Sequence, residues 1–268
     1  MKKYFQNKTF LTGFIMFSFV FLLMVAGLIY LPYDPLKTDT SQKFLSFSSA
    51  HLLGTDHLGR DVFSRILCGL KISMTIGFTV MLSGLITGTL LGSLSGWFGG
   101  LTDKIIMKLI STQMAFPGVL LALMLSSVFN PSIKVTVFAL ILLSLPRFTR
   151  ISRSGYIKYK NSLFVLSARA KGAGSFRIMY FHILPNILSE LLVTSTISFS
   201  MAILSESGLS YLGLGVQPPN PSFGRMIKDA QEFLFRNPSG LFGPLCFLVI
   251  LVLGLNLMGD GISQVNNR

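Results

Sequence analysis

Charge is what this chain is short of. Only 12% of its 268 residues are Asp, Glu, Lys or Arg, about half the roughly 25% of an ordinary soluble domain. A water-soluble fold of this length would have too little charge to cover its surface. Acidic groups are scarcest, with 10 Asp and Glu against 23 Lys and Arg and a net charge of +13. The 2 cysteines, Cys68 and Cys246, lie far apart in apolar surroundings with no CxxC, which excludes a disulfide framework and a thiolate metal site. The 3 histidines, His51, His57 and His182, are dispersed, so no imidazole cluster offers itself to a metal. No GxxxxGK[ST] run occurs, and with it goes the phosphate loop that cradles ATP. No His, Asp, Glu, Ser or Cys groups converge at helical spacing, as the site of a membrane enzyme requires.

What is present is apolar sequence in long runs. A helix needs about 20 mostly apolar residues to cross a hydrocarbon core of about 30 Å, because lipid offers no partner to an unpaired backbone amide. Residues 9–33, 72–102, 109–133 and 237–259 each satisfy this. Residues 135–146 are too few unless the helix extends past Lys134 or through Arg147, and 183–205 span only with Glu190 near one end. The expectation is an all-α membrane protein of six spans. The first run exceeds the 7–15 residues of a signal h-region and no A-x-A-like site follows it, so it reads as a retained span.

Orientation follows from the cations. Lys2, Lys3 and Lys8 place the amino end in the cytoplasm by the positive-inside rule, and six crossings return the carboxyl end there. The inside segments then gather Lys104, Lys108, the basic run from Arg147 to Arg177 and Arg268, against only Asp103 and Asp260. Nearly all of the positive excess lies on that face, so nucleic acid is not needed to explain it.

Three stretches between spans are long enough to act: 34–71, 147–185 and 206–236. In the first, Asp61 can cap a short helix with Val62, Phe63, Ile66 and Leu67 on one side, lying amphipathically on the outer surface before the second span. Asp56, Arg60, Asp61 and Arg65 form a candidate ion-pair network bracing the outer mouth. In the second, Ser162 can cap a helix over 163–171, Gly172 can end it with positive φ, and Ser175 can cap another that Pro185 stops. The product is a cytoplasmic two-helix loop, either an interfacial connection that snorkels its cations or a docking element with Phe176 and Tyr180 as anchors. In the third, Glu206 faces either a ligand path or water, and the stretch with Gly213 and Gly215 can fold back into the membrane beside a pore. Glu190 is placed to pair with Arg177 or lipid headgroups.

The run SARAKGAG followed by HILPN resembles the cytoplasmic loop of ATP-binding-cassette importer permeases, E-A-A-x3-G-x9-I-x-L-P. Leu166 stands at the Glu position, Ser167 and Ala168 at the alanines, Gly172 at the glycine, His182 at the isoleucine, and Leu184 and Pro185 close the pattern. HLLGTDHLGRDVFSRILCG and SESGLSYLGLGVQPPNPSFGRMI resemble the C-type permease subunit of dipeptide, oligopeptide and nickel importers. The three matches, in order on a six-span frame, cover most of the chain.

The resemblance implies a type I importer permease in a bacterial cytoplasmic membrane, not an enzyme. It would be paired as a heterodimer with a second related permease, two cytoplasmic ATPase subunits and an extracytoplasmic solute-binding protein, in contact with lipid. ATP and Mg would sit on the ATPases, with no cofactor on this chain. It implies that Ser167, Ala168, Arg169, Gly172, Ala173, Phe176, Leu184 and Pro185 belong to the coupling loop; Glu206, Gly213 and Gly215 are the candidates for the translocation path. Residues 1–71 then form an amino-terminal span with its outer segment, and 72–268 a five-span core that includes the loop 158–185. Short peptides and nickel, free or chelated, both remain open as cargo, the short amino-terminal extension favouring nickel. The competing reading, an ion-coupled secondary transporter or channel, predicts buried midplane charges and repeated halves.

Overall fold

In the computed structural model, which describes residues 2–266, long apolar runs become long helices wherever no glycine pair or proline interrupts them. The side chain of Lys2 and the terminal Arg268, both assigned above to the inner face, lie outside the described residues. The helices in chain order are α1 (Lys2–Phe5), α2 (Lys8–Ile29), α3 (Val62–Phe98), α4 (Gly100–Met114), α5 (Gly118–Phe129), α6 (Ile133–Tyr159) and α7 (Leu163–Ala170), followed by α8 (Ser175–Arg177), α9 (Leu184–Tyr211), α10 (Phe223–Gln231) and α11 (Pro238–Asn266). A π-helical stretch, Ile178–Ile183, joins α8 to α9. Among the described residues, five helices are long and apolar enough to cross a membrane: α2, α3, α6, the run Ser175–Tyr211 and α11. The bent pair α4 and α5 makes a sixth when counted as one span.

Several boundaries differ from those expected. The outer helix at Asp61 is not separate. Asp61 does cap it, accepting from the Ser64 N–H at 2.7 Å, but α3 then runs on for 37 residues because no proline intervenes before Phe98. At 1.5 Å per residue this is about 55 Å, well beyond a bilayer core of about 30 Å. The proposed division at residues 71 and 72 therefore falls inside one helix. The third expected span is broken at Ala115–Pro117, where α4 and α5 meet at 86°; Pro117 lacks an N–H and pushes the residue before it out of helix. Helix α6 extends past Lys134 and through Arg147 to reach spanning length, carrying Pro146 inside it.

One seam positions the rest. Gly84, Gly88, Gly92 and Gly96 recur every four residues along α3 and face α6, which runs parallel to it. A Cβ on Gly88 would stand 2.5 Å from Phe148 Cβ, and one on Gly92 would stand 2.4 Å from the Thr149 carbonyl oxygen. Such spacing lets backbones approach where lipid supplies no hydrophobic drive between helices. Ser152 Oγ crosses the seam to donate to the Thr89 carbonyl at 3.0 Å. Helix α2 packs antiparallel on α11 in the same manner, Gly13 against Gly254 and Met258, so the amino-terminal span is fastened to the core.

Candidate functional site

The chain between α6 and α9 is built as a rigid projection. Gly172 has φ +78° and closes α7 with a Schellman pair: the Ala173 N–H donates to the Ala168 carbonyl at 3.0 Å and the Gly172 N–H to the Arg169 carbonyl at 2.9 Å. Ser162 occupies the cap position of α7, but its hydroxyl donates to the Tyr159 carbonyl at 2.7 Å instead of accepting a helix N–H. Ser175 is the first residue of α8, and Gly174 takes the cap position. Pro185 does not stop the second helix. The π-helical stretch ahead of it shifts the hydrogen-bond register, Pro185 falls in the first turn of α9 where an N–H is dispensable, and helix continues to Tyr211.

The projection is anchored on one side and bare on the other. Val165, Ala168, Ile178, Met179 and Ile183 pack with Trp97, Phe148 and Tyr156, each large apolar side chain contributing about 1.5–3 kcal/mol of burial. Tyr156 donates to the Met179 carbonyl at 3.0 Å, and the Arg169 guanidinium sits 4.8 Å from the Trp97 ring centroid. Outward stand Leu163, Phe176 and Phe181, exposed by 86%, 63% and 75%, with Leu166 half-exposed. A shallow depression between α7 and α8 is lined by Phe164, Ser167, Ala168, Lys171, Ala173, Arg177 and His182. Of the expected loop residues, Ser167, Arg169, Gly172, Phe176 and Pro185 are exposed, Ala173 and Leu184 half-buried, and Ala168 buried. Glu190 is exposed on α9 and forms no ion pair with Arg177.

At the opposite end of the bundle, the expected four-residue network divides in two. Asp56 Oδ2 lies 2.7 Å from Arg60 Nε and 3.7 Å from Arg65 Nε, and Arg65 also donates to the Pro35 carbonyl at 3.0 Å. Asp61 belongs elsewhere: while capping α3 it faces His51 Nδ1 at 2.9 Å. In the same segment the Ser41 hydroxyl, and then its N–H, hold the Asp39 carboxyl below its ordinary pKa.

Glu206 faces neither a path nor water. It is fully buried, accepting from Ser73 Oγ of α3 at 2.8 Å and from Ser210 Oγ at 2.6 Å. Desolvating a carboxylate is costly unless donors surround it, and the serines from two helices make it a clasp. Gly215 is buried against Ser210, whose Oγ also accepts from the Val216 N–H at 2.9 Å. The 212–222 stretch thus folds back onto the end of α9 as packing; Gly213, at φ +87°, is only half-buried.

The open surface lies instead along α6, which borders it together with α4, α5 and α9. Three depressions share Leu143, joined further by Arg147 at one end and by Leu140 and Ser205 at the other, and form one groove along α6. Ser144, Ser198, Met201 and Gly208 also line it. Arg147 and Arg150, grouped by sequence with the cytoplasmic loop, lie inside α6, with Arg147 twelve positions, about 18 Å, short of Tyr159. The signal was available: an arginine follows a proline inside a stretch that had to be helical to span.

The description "Binding-protein-dependent transport system inner membrane component" belongs to a family model that matches residues 88–268. The chain is 33% identical over 259 residues to the dipeptide transport system permease protein DppC of Alkalihalophilus pseudofirmus, covering 97% of this chain and 85% of that one. It is 37% identical over 265 residues to DppC of Haemophilus influenzae, covering 97% and 90%. To the glutathione transport system permease protein GsiD of Pectobacterium atrosepticum it is 38% identical over 235 residues, covering 88% and 76%. Among solved structures, an inward-facing conformation of the MetNI methionine ABC transporter superposes with a TM-score of 0.61 at 17% identity, covering 75% of this chain and 96% of that one; this likeness is one of fold.

Proposed function

This chain belongs to the binding-protein-dependent transport system inner membrane components, permeases of ATP-binding-cassette importers, and on that premise we propose that it carries short peptides across the cytoplasmic membrane, driven by separate ATPases. The curated relatives named above are permeases for dipeptides and glutathione, which favours peptide over nickel as cargo. A solute-binding protein delivers the peptide from outside, and a second permease subunit supplies the other half of the pathway. The amino and carboxyl ends and the loop 162–185 lie in the cytoplasm, where two ATPase subunits grip the loop; ATP and Mg are bound by those subunits.

The observation that carries the coupling reading is the projection at Gly172, bare outside and braced inside. When ATP closes the ATPase dimer, the exposed Leu163, Leu166, Phe176 and Phe181 seat in its clefts. Movement passes through Trp97 to α3 and through Tyr156 to α6, while α8 pulls directly on α9. ATP binding therefore biases a two-state membrane element between inward-facing and outward-facing forms. The chain acts as lever and pore wall and performs no covalent chemistry.

The test is co-purification of the ATPases from detergent extracts. Gly172→Val forces a β-branched residue to positive φ, at about 1–2 kcal/mol, with nothing within 4 Å of the new Cβ. The variant is expected to reach the membrane yet lose the ATPases and uptake, whereas Gly172→Asn, which tolerates that backbone region, keeps both. Full ATPase retention by Gly172→Val would overturn the assignment of the loop.

A further inference from the structure

We propose that Arg147 is a binding residue for the free terminal carboxylate of the peptide as it passes through the groove, with Arg150 receiving that carboxylate next, one turn nearer the loop. The proposal rests on the peptide-import reading and adds to it a named site.

Arg147 stands near the middle of α6 (Ile133–Tyr159), about 21 Å from the first residue of that helix. It is exposed and lines the stretch of groove that Ser144, Ser198, Met201 and Ser205 also line. An arginine inside a membrane-spanning helix is costly unless it faces a water-filled cavity or finds a polar partner. This chain offers it none: among the described residues, neither Arg147 nor Arg150 takes part in an ion pair. The nearest comparison lies on the same helix. Arg153, a further three residues on, donates to both oxygens of Asp103, Nε at 2.6 Å and the second nitrogen at 2.7 Å. One rung of this ladder of three is satisfied internally and two are left open toward the groove. Glu206 cannot serve, being buried and held by serines.

The chemistry of the open rungs selects the ligand. A guanidinium presents a planar fork that matches a carboxylate oxygen for oxygen, and every unmodified peptide brings one terminal carboxylate that loses its water on entering the membrane. Because Arg147 is exposed, it offsets that loss without holding the cargo tightly. A conducting site must bind well enough to admit its ligand and weakly enough to release it. The second open arginine, one helical turn away, gives the carboxylate its next position. Serine hydroxyls along the wall suit the peptide's own amides.

The experiment uses the assembled transporter, with its partner permease, ATPases and binding protein, in vesicles of phosphatidylcholine alone, which removes anionic lipid as a competing partner for the arginines. Initial rates of uptake of a radiolabelled dipeptide are compared for wild type, Arg147→Lys, Arg147→Gln and Arg147→Glu, with assembly followed by size-exclusion chromatography. The expected result is normal assembly, an unchanged KM set by the binding protein, and a maximal rate that falls in the order Arg, Lys, Gln, Glu, with about a tenfold loss at Gln. A packing role would not follow the sign of the charge. A wild-type maximal rate in Arg147→Gln overturns the proposal. So does loss of assembly in Arg147→Gln that Arg147→Lys restores, since the guanidinium would then pair with the second permease. If the wild-type assembly takes up no peptide at all, the peptide-import reading itself fails and this proposal falls with it.

Discussion

On the side of α6 that meets α3, Phe148, Thr149, Ser152 and Tyr156 lie against Gly88, Gly92 and Gly96. On the side toward the end of α4, Leu143, Arg147 and Arg150 of the same helix border a groove. The closed side is made by small residues on the neighbour, and Ser152 donates across it to the Thr89 carbonyl, while the buried Thr89 and Thr149 hydroxyls have no partner among the described residues. The open side carries charge that no ion pair among the described residues neutralises. A transport path in lipid needs both, because a groove keeps its shape only if the helix that walls it is held on its other side.

The largest effect should come from breaking the closed side. Gly92→Leu would drive a side chain into the Thr149 carbonyl and Ser152, at about 3 kcal/mol or more of overpacking; the variant is expected to be nearly absent from membrane extracts analysed by fluorescence-detected size exclusion. Normal yield would mean that the seam is not rigid. Next is the clasp that ties α3 to α9. Glu206→Ala strands the buried Ser73 and Ser210 hydroxyls and should lower stability by about 2–3 kcal/mol, with Glu206→Gln between it and wild type in thermal unfolding of the detergent-solubilised protein. Wild-type melting in Glu206→Ala would return Glu206 to the path.

A smaller change sharpens the contrast between paired and open arginines. Asp103→Asn leaves Arg153 without its carboxylate, and because both groups are partly exposed the expected loss is about 1 kcal/mol, read by the same melting assay. A loss several-fold larger would show that an unpaired arginine is intolerable in α6 and that Arg147 must already have a partner. The smallest effect belongs to the open side: Ser205→Ala in the groove should melt within about 0.5 kcal/mol of wild type. A clear destabilisation would reveal a packed interface where a groove is described.

Some of this architecture was legible in the residues and some was not. Gly172 could be assigned a positive φ because a glycine just past a short helical run, flanked by small residues, has a local reason to be there. Asp61 could be assigned a capping role for the same kind of reason. That its other oxygen meets His51, and that Arg65 turns back to Asp56 and Pro35, depends on how the 30–61 segment folds over the start of α3. Glu206 was read as path or water because a carboxylate at the end of an apolar run is ordinarily wet. The serines that bury it come from Ser73, 133 positions away, and from Ser210. The four-residue spacing of Gly84, Gly88, Gly92 and Gly96 is visible in the sequence; its partner is not, since glycines announce a close approach without saying to what.

Hydropathy, charge sign and backbone freedom are carried by residues and their immediate neighbours, so the chain's solvent, its helical spans, the face expected to be basic and the turn at Gly172 all follow from the sequence. Which side of α6 is sealed, which carboxylate is clasped and which arginines stay open arose only when helices distant along the chain came together. Those properties belong to pairs of surfaces, and a linear order of side chains does not contain the distances between them.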